Sequence, residues 1–451
     1  MRRPRVLTPV LALMALAAPF GPLAAQTRAT TTGSLSTAQP TTQSPAGMLT
    51  VAASPSTVAA AAKGAGKNAI AAAQDVKARF PTTPYGEVAI ALVSAGYSGV
   101  ETLVALHDVM NASIDQQILA LATTKMSVAD IIRAVHQQNQ ALTARFVIAP
   151  LRQARRDDAE IVKALLEVFG LDANGAATAF SLAGGSSQDV AEALRNGLSL
   201  DLDHVAEALR AAGFKEDGIA LGLVSSFNAA PDRIAALFHK WQVTPAVAAA
   251  TLRNTLNQSA QDVVKLMVKV DYAPSEIARG LRDGNKLTNA AIASAFKAAA
   301  FVASAAATGL MDGLGIDDQG AFDAMVQSGY PAPDAVQAVA QKAHTTLERA
   351  AGMLKVKGID ALTTGATLKD RFGATGDQAA AAMKSAKYTV REITQVMLTT
   401  FAKSALDTGA ILKKAQFDPV SIRDALMEVF KLDLAAVVQL LAQIGLTVSS
   451  Q

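Results

Sequence analysis

The chain has 451 residues, 51% of them apolar but only 5% aromatic, with no cysteine and a formal charge of +3. The length exceeds what one compact core usually supports, so it points to several domains or an elongated array, and alanine-rich helices favour the array. The lack of cysteine excludes disulfides, thiolate metal sites, cysteine nucleophiles and a lipid-anchored N-terminus.

Residues 1–25 have the layout of a secretory signal peptide: Arg2, Arg3 and Arg5 precede an apolar stretch over 6–18, then Pro19, Pro22 and the small-residue run before Gln26. Cleavage after Ala25 removes three of the 41 basic residues and leaves 38, level with the 38 acidic ones. A neutral mature chain gives no bulk electrostatic case for nucleic acid or anionic membrane. Localisation is therefore expected to be exported: periplasm, cell surface or outside. Residues 26–57 are rich in Ser, Thr and Pro and too poor in large apolar side chains to offset the entropy of ordering, so they read as a flexible stalk. Residues 58–155 read as an N-terminal helix over 58–79 that caps the stack, followed over 87–150 by two irregular repeats with a frame slip at Pro150. Arg145, Arg152, Arg155 and Arg156 make the best local basic patch, but Asp157 and Asp158 follow directly, as at a solvated helix junction.

From 156 to 445 the chain falls into ten rows of 29 residues without a gap. The tenth column reads Leu165, Leu194, Leu223, Leu252, Leu281, Leu310, Val339, Leu368, Met397, Leu426. The twenty-fifth reads Phe180, Leu209, Phe238, Met267, Phe296, Met325, Leu354, Met383, Leu412, Leu441. With half the residues apolar, a fully apolar column of ten arises by chance about once in a thousand, so two such columns fix the frame. They lie 15 and 14 residues apart, so each row holds two short helices. Cap residues recur at the half-period: Asp172, Ser187, Asp201, Thr244, Ser259, Thr288, Asp317, Asp360, Thr389, Asp418 and Asp433, with Pro231, Pro245, Pro274, Pro331 and Pro419 in the same windows. Helices of ten or eleven residues are marginal alone and hold by stacking. The expected fold is all-α, an α-solenoid: a right-handed superhelical stack of antiparallel helix pairs, on the order of 100 Å long at 8 to 10 Å per packed helix.

The first column, Phe214, Val243, Tyr272, Phe301, Tyr330, Ile359, Tyr388 and Phe417, precedes the helix starts and reads as a set of hydrophobic staples rather than an aromatic ligand stripe. The alanine-rich run over 290–310 carries Lys297 and continues the columns, so it reads as core helices and not as a membrane span. The strings Gly213-Phe214-Lys215, Gly329-Tyr330-Pro331, Asp189-Val190-Ala191-Glu192-Ala193-Leu194 and His204-Val205-Ala206-Glu207-Ala208-Leu209 resemble the tandem "GYS…EVAxAL" helical repeats of exported bacterial proteins. The resemblance spans most of the mature chain and brings no established activity with it.

Chemistry-bearing patterns are sparse. His107, His136, His204, His239 and His344 include no i, i+4 pair, and the glycine strings Gly184-Gly185 and Gly313-Leu314-Gly315 lack a phosphate-loop lysine. No cofactor, metal site or catalytic constellation is expected. The last helix, over 433–444, is apolar nearly all round, so Leu434, Val437, Val438, Leu440, Leu441 and Ile444 are the candidate surface for a partner or another copy; residues 446–451 form a tail. The function that ranks first is a non-enzymatic scaffold binding a protein or glycan at the cell envelope. A subunit stacking end to end into a surface layer or filament ranks second, and an exported enzyme or small-ligand carrier third.

Overall fold

The computed structural model describes residues 53–447; the signal peptide expected over 1–25, most of the stalk expected over 26–57 and most of the expected tail lie outside them. The described chain is all-helical, with twenty-seven α-helices and no strand among the described residues. The first helix, Pro55–Gly64, starts inside what reads as stalk: the Ser54 hydroxyl accepts the Thr57 N–H while the Thr57 hydroxyl accepts the Ser54 N–H. A reciprocal cap of this kind lets a Ser/Thr/Pro-rich segment enter a helix. The single N-terminal helix expected over 58–79 is two helices, Pro55–Gly64 and Ala69–Arg79, separated where Gly66 takes φ +72°. Pro150 does not break the frame either. It lies buried inside the helix Arg145–Gln153, and the irregularity falls in the longer connection over 139–144.

Helix starts follow the cap chemistry. Asp172, Asp201, Ser259, Thr288, Asp317, Asp360, Thr389, Asp418 and Asp433 each accept a first-turn N–H through the side chain. The cap assigned to Ser187 belongs to Ser186, which exchanges hydrogen bonds with Asp189; Ser187 is the first helical residue and is buried. Thr244 occupies a cap position without a side-chain bond.

The connections explain the first column more fully than stapling does. The helix Leu202–Ala211 closes with Gly213 at φ +80°, the Gly213 N–H bonded to the Arg210 carbonyl and the Phe214 N–H to the Leu209 carbonyl. That is a Schellman closure, in which an apolar residue two past the C-cap packs back on the last turn. The same long-reach bond runs from Val243 to Phe238, Tyr272 to Met267, Phe301 to Phe296, Tyr330 to Met325, Ile359 to Leu354, Tyr388 to Met383 and Phe417 to Leu412. First-column residues therefore finish one helix immediately before the next begins. Where the left-handed position is Ala300 rather than glycine, φ is +63°.

Along most of the chain each helix packs against the helix two further on. Ser187–Leu198 lies between Asp158–Phe169 and Glu216–Phe227, while Ala173–Leu182 packs on Leu202–Ala211. Helices therefore sort into two layers, one mostly of twelve-residue helices and one mostly of ten. All twenty residues of the two apolar columns are fully buried between the layers. Contacts within the layers differ. In the twelve-residue layer a Cβ on Gly222 would sit 2.8 Å from the Ser187 carbonyl oxygen, and one on Gly280 2.6 Å from that of Pro245. The ten-residue helices instead contribute large rings, with Phe180, Phe238, Phe296 and Phe322 fully buried. In the twelve-residue layer the helices starting at Pro245 and Ala303 widen to π turns over Thr251–Thr255 and Gly309–Gly313, on either side of Pro274–Asn285. The alanine-rich 290–310 run is divided between separate short helices with Ile292, Phe296 and Leu310 buried, and among the described residues no helix is long and apolar enough to cross a membrane.

Candidate binding grooves between neighbouring helices

Many polar side chains on the helix surfaces reach a helix some thirty residues away, ahead or behind. Lys384 Nζ donates to the carbonyls of Ala415 and Gln416, both at 2.7 Å, and Lys413 Nζ to that of Ile444 at 2.6 Å. Each cation thus satisfies a helix C-terminus and opposes its negative dipole end. The tyrosines of the first column reach the other way: the Tyr272 hydroxyl donates to the Val243 carbonyl at 3.3 Å, Tyr330 to Phe301 at 3.0 Å and Tyr388 to Ile359 at 2.9 Å. Lys297 sits 4.7 Å above the Tyr330 ring and Lys355 3.9 Å above that of Tyr388. Burial pushes the Tyr272 and Tyr330 hydroxyls up to about 12. These rings are packed and hydrogen-bonded, and they do not form an open aromatic track.

Two recesses open between a helix connection and the adjoining twelve-residue helix. One, about 360 Å³, is lined by Arg152, Arg156, Asp157, Asp158, Asp189, Glu192 and Asn196. Arg152 bridges its walls, with Nε 3.1 Å from Asp158 and Nη2 2.8 Å from Asp189. Burial raises the Asp158 carboxyl above its ordinary value. Burial also pushes Asp189 up, but the hydrogen bonds from Arg152 and Ser186 outweigh it and hold the carboxyl below the usual range. The Arg152 guanidinium is destabilised by burial and held up by both carboxylates. Arg156 turns away and donates to the carbonyls of Ala122, Thr124 and Met126 at 3.0 to 3.1 Å. Arg145 lies 4.5 Å over Phe146. Arg145, Arg152 and Arg156 are therefore dispersed among separate contacts, and Arg155 is exposed.

The second recess, about 500 Å³, is lined by Lys297, Phe301, Val302, Ser304, Tyr330, Asp334, Gln337 and Gln341. Lys297 stands where the first has Arg152, Phe301 where it has Arg156, Asp334 where it has Asp189, and Gln341 where it has Asn196. Every such pair is 145 residues apart in the chain. A second type of recess also occurs twice on other connections, once beside His107, Asn111 and Gln138 and once beside Arg253, Asn257 and Gln258.

The histidines have separate surroundings. His107 Nδ1 is 2.9 Å from Asp108, His136 packs on Phe169, His204 Nδ1 is 2.7 Å from Asp201, and His239 meets Tyr272 edge-on. Among the described residues no three His, Asp or Glu side chains converge as metal ligands.

The terminal helix Leu434–Gln443 corrects part of the apolar surface expected there. Val437 and Leu441 are fully buried against the preceding helices, while Leu434, Val438, Leu440 and Ile444 are half-buried. Leu441 belongs to the twenty-fifth column, so the frame already marked it as core. The recesses were missed because they are lined by ordinary surface residues, and only comparison of rows five apart would have revealed them. No family model matches the chain, and no curated protein matches it.

Proposed function

We propose that the chain is an exported, non-enzymatic α-solenoid built from a 29-residue helix-pair unit, akin to the "GYS…EVAxAL" repeat proteins of the bacterial envelope. Its role is to bind a protein or glycan partner through grooves between successive units. The repeat reading is supported by the helix starts: Asp158, Ser187, Glu216, Pro245, Pro274, Ala303, Ala332, Ala361, Val390 and Pro419 follow one another at intervals of 29. So do Ala173, Leu202, Pro231, Ala260 and the ten-residue helices after them.

One observation carries the functional reading: the Arg152 and Lys297 recesses are the same site five units apart, with different linings. A backbone that offers one recess of arginines and carboxylates, and another where Lys297 and Asp334 stand among aromatic, aliphatic and amide groups, reads different chemical groups at a set spacing. The packing shared by the two places does not dictate these linings, which supports a role in recognition.

The test places a photoreactive diazirine side chain at Asn196 or Gln341, both exposed in the grooves, and at Glu207 or Lys265, exposed on ten-residue helices. Irradiated in its own cell-envelope fraction, the protein is expected to form saturable adducts from the groove positions and not from the controls. Equal labelling at all four sites, or no adduct at any, sinks the binding role.

A further inference from the structure

We propose that Arg423 closes the stack, acting as a terminal cap that prevents a further helix pair from docking on the C-terminal end. The inference rests on the 29-residue register and is independent of the binding role.

Arg423 lies on the helix Pro419–Phe430, the last of the twelve-residue layer among the described residues. At intervals of 29 before it, from Val162 and Ala191 through Ala249, Ala278 and Gly365 to Thr394, every residue is small or aliphatic and buried. Glycine geometry shows what that position faces. A Cβ on Gly280 would lie 3.3 Å from the Cβ of Ala249, and one on Gly313 2.8 Å from that of Ala278. A Cβ on Gly365 would run into the side chain of Val396. The column therefore meets the following helix at or inside van der Waals contact, and in its last instance the residue is an arginine.

The Arg423 side chain is 17% exposed and donates to the Asp424 carboxylate at 2.8 Å. A helix docking as closely as its predecessors do would meet an arginine where they meet nothing larger than valine, and would have to drive that side chain and its ion pair out of place. The small side chains of the interior column give each joint its closeness, and the same position at the end denies it. A second copy seated in line on this face would meet the same obstacle, which opposes end-to-end growth in register.

The experiment appends a copy of residues 214–242 after Gly445, which puts Gly222 31 residues beyond Arg423, as Gly280 stands to Ala249. The extended protein is made with Arg423 and with Arg423→Thr, the residue at 394. Arg423→Thr without the extension checks that the substitution itself is tolerated. Amide hydrogen exchange in the appended unit is expected to be at least about tenfold slower on the threonine background. Equal protection on both backgrounds, or none on either, overturns the cap. A duplication of 214–242 placed in line after Gln242 tests the register separately. Its cooperative folding with added helix content is expected, and its collapse would remove the register on which the proposal rests.

Discussion

The two layers of helices solve the same packing problem in opposite ways. In the twelve-residue layer, neighbours approach until the backbone of one touches the Cα of the next, as Gly222 does the Ser187 carbonyl and Gly280 the Pro245 carbonyl. The ten-residue helices instead send rings such as Phe238, fully buried, into the space between the layers. Closeness in one layer and bulk in the other mean that side-chain volume is least tolerated where there is least of it. The same core therefore fails by cavity on one side and by collision on the other.

The largest expected effect comes from Phe238→Ala, which empties the filled layer and should cost about 3–5 kcal/mol. Thermal unfolding should report it, with exchange fastest in the helices around Pro231–Lys240. Gly280→Val attacks the close layer and should cost about 1–3 kcal/mol by forcing the Pro245 helix away. A neutral result there would erase the distinction between the layers. Tyr330→Phe removes the bond to the Phe301 carbonyl, which joins successive helix pairs at the layer edge, and should cost about 0.5–1.5 kcal/mol. Ala300→Gly should work in the other direction, stabilising by about 0.5–1 kcal/mol by relieving a positive φ in the connection between the layers.

The smallest effect per site is set by pH. The Thr363 backbone N–H holds Asp360 below its ordinary 3.8, and that of Ser98 holds Glu101 below its ordinary 4.5. A depressed carboxyl contributes stability that is complete above its unfolded value and disappears as pH falls through the folded one. Asp158, raised by burial, has the opposite sign: its contribution is present in acid and lost as pH rises. With carboxylates depressed at helix starts such as these, melting should occur at lower temperature at about pH 3 than at about pH 6. An unchanged melting temperature would show that the caps do not matter collectively.

Much of the fold could be read from the sequence because its determinants are local and periodic. Leu165 and its column, Phe180 and its column, and caps such as Asp201 and Thr288 act within one helix or between neighbouring pairs. Ser187 shows the limit: two adjacent serines offer the same oxygen, and only backbone geometry assigns the cap to Ser186. The role of the first column was half legible. Hydrophobic residues at those positions are visible in the chain, but the bond from Phe214 to Leu209 depends on φ at Gly213. The site was harder to read, because Arg152 and Lys297 differ in chemistry while sharing a place, and apolar columns do not reveal such an equivalence. Arg423 could have been found by reading a small-residue column to its end, where a break in the pattern matters more than its continuation.

The Schellman closures also bear on how such a chain can change over time. Phe214 finishes one helix and, a single residue later, the cap of the next begins, so the turn contains no slack to absorb an added or deleted residue. A single-residue insertion at that turn would move the closing N–H, the left-handed glycine and the next cap out of place together. Length drift should therefore be confined to remade connections such as 139–144. Elsewhere, gene lengthening or shortening should proceed by whole helix pairs.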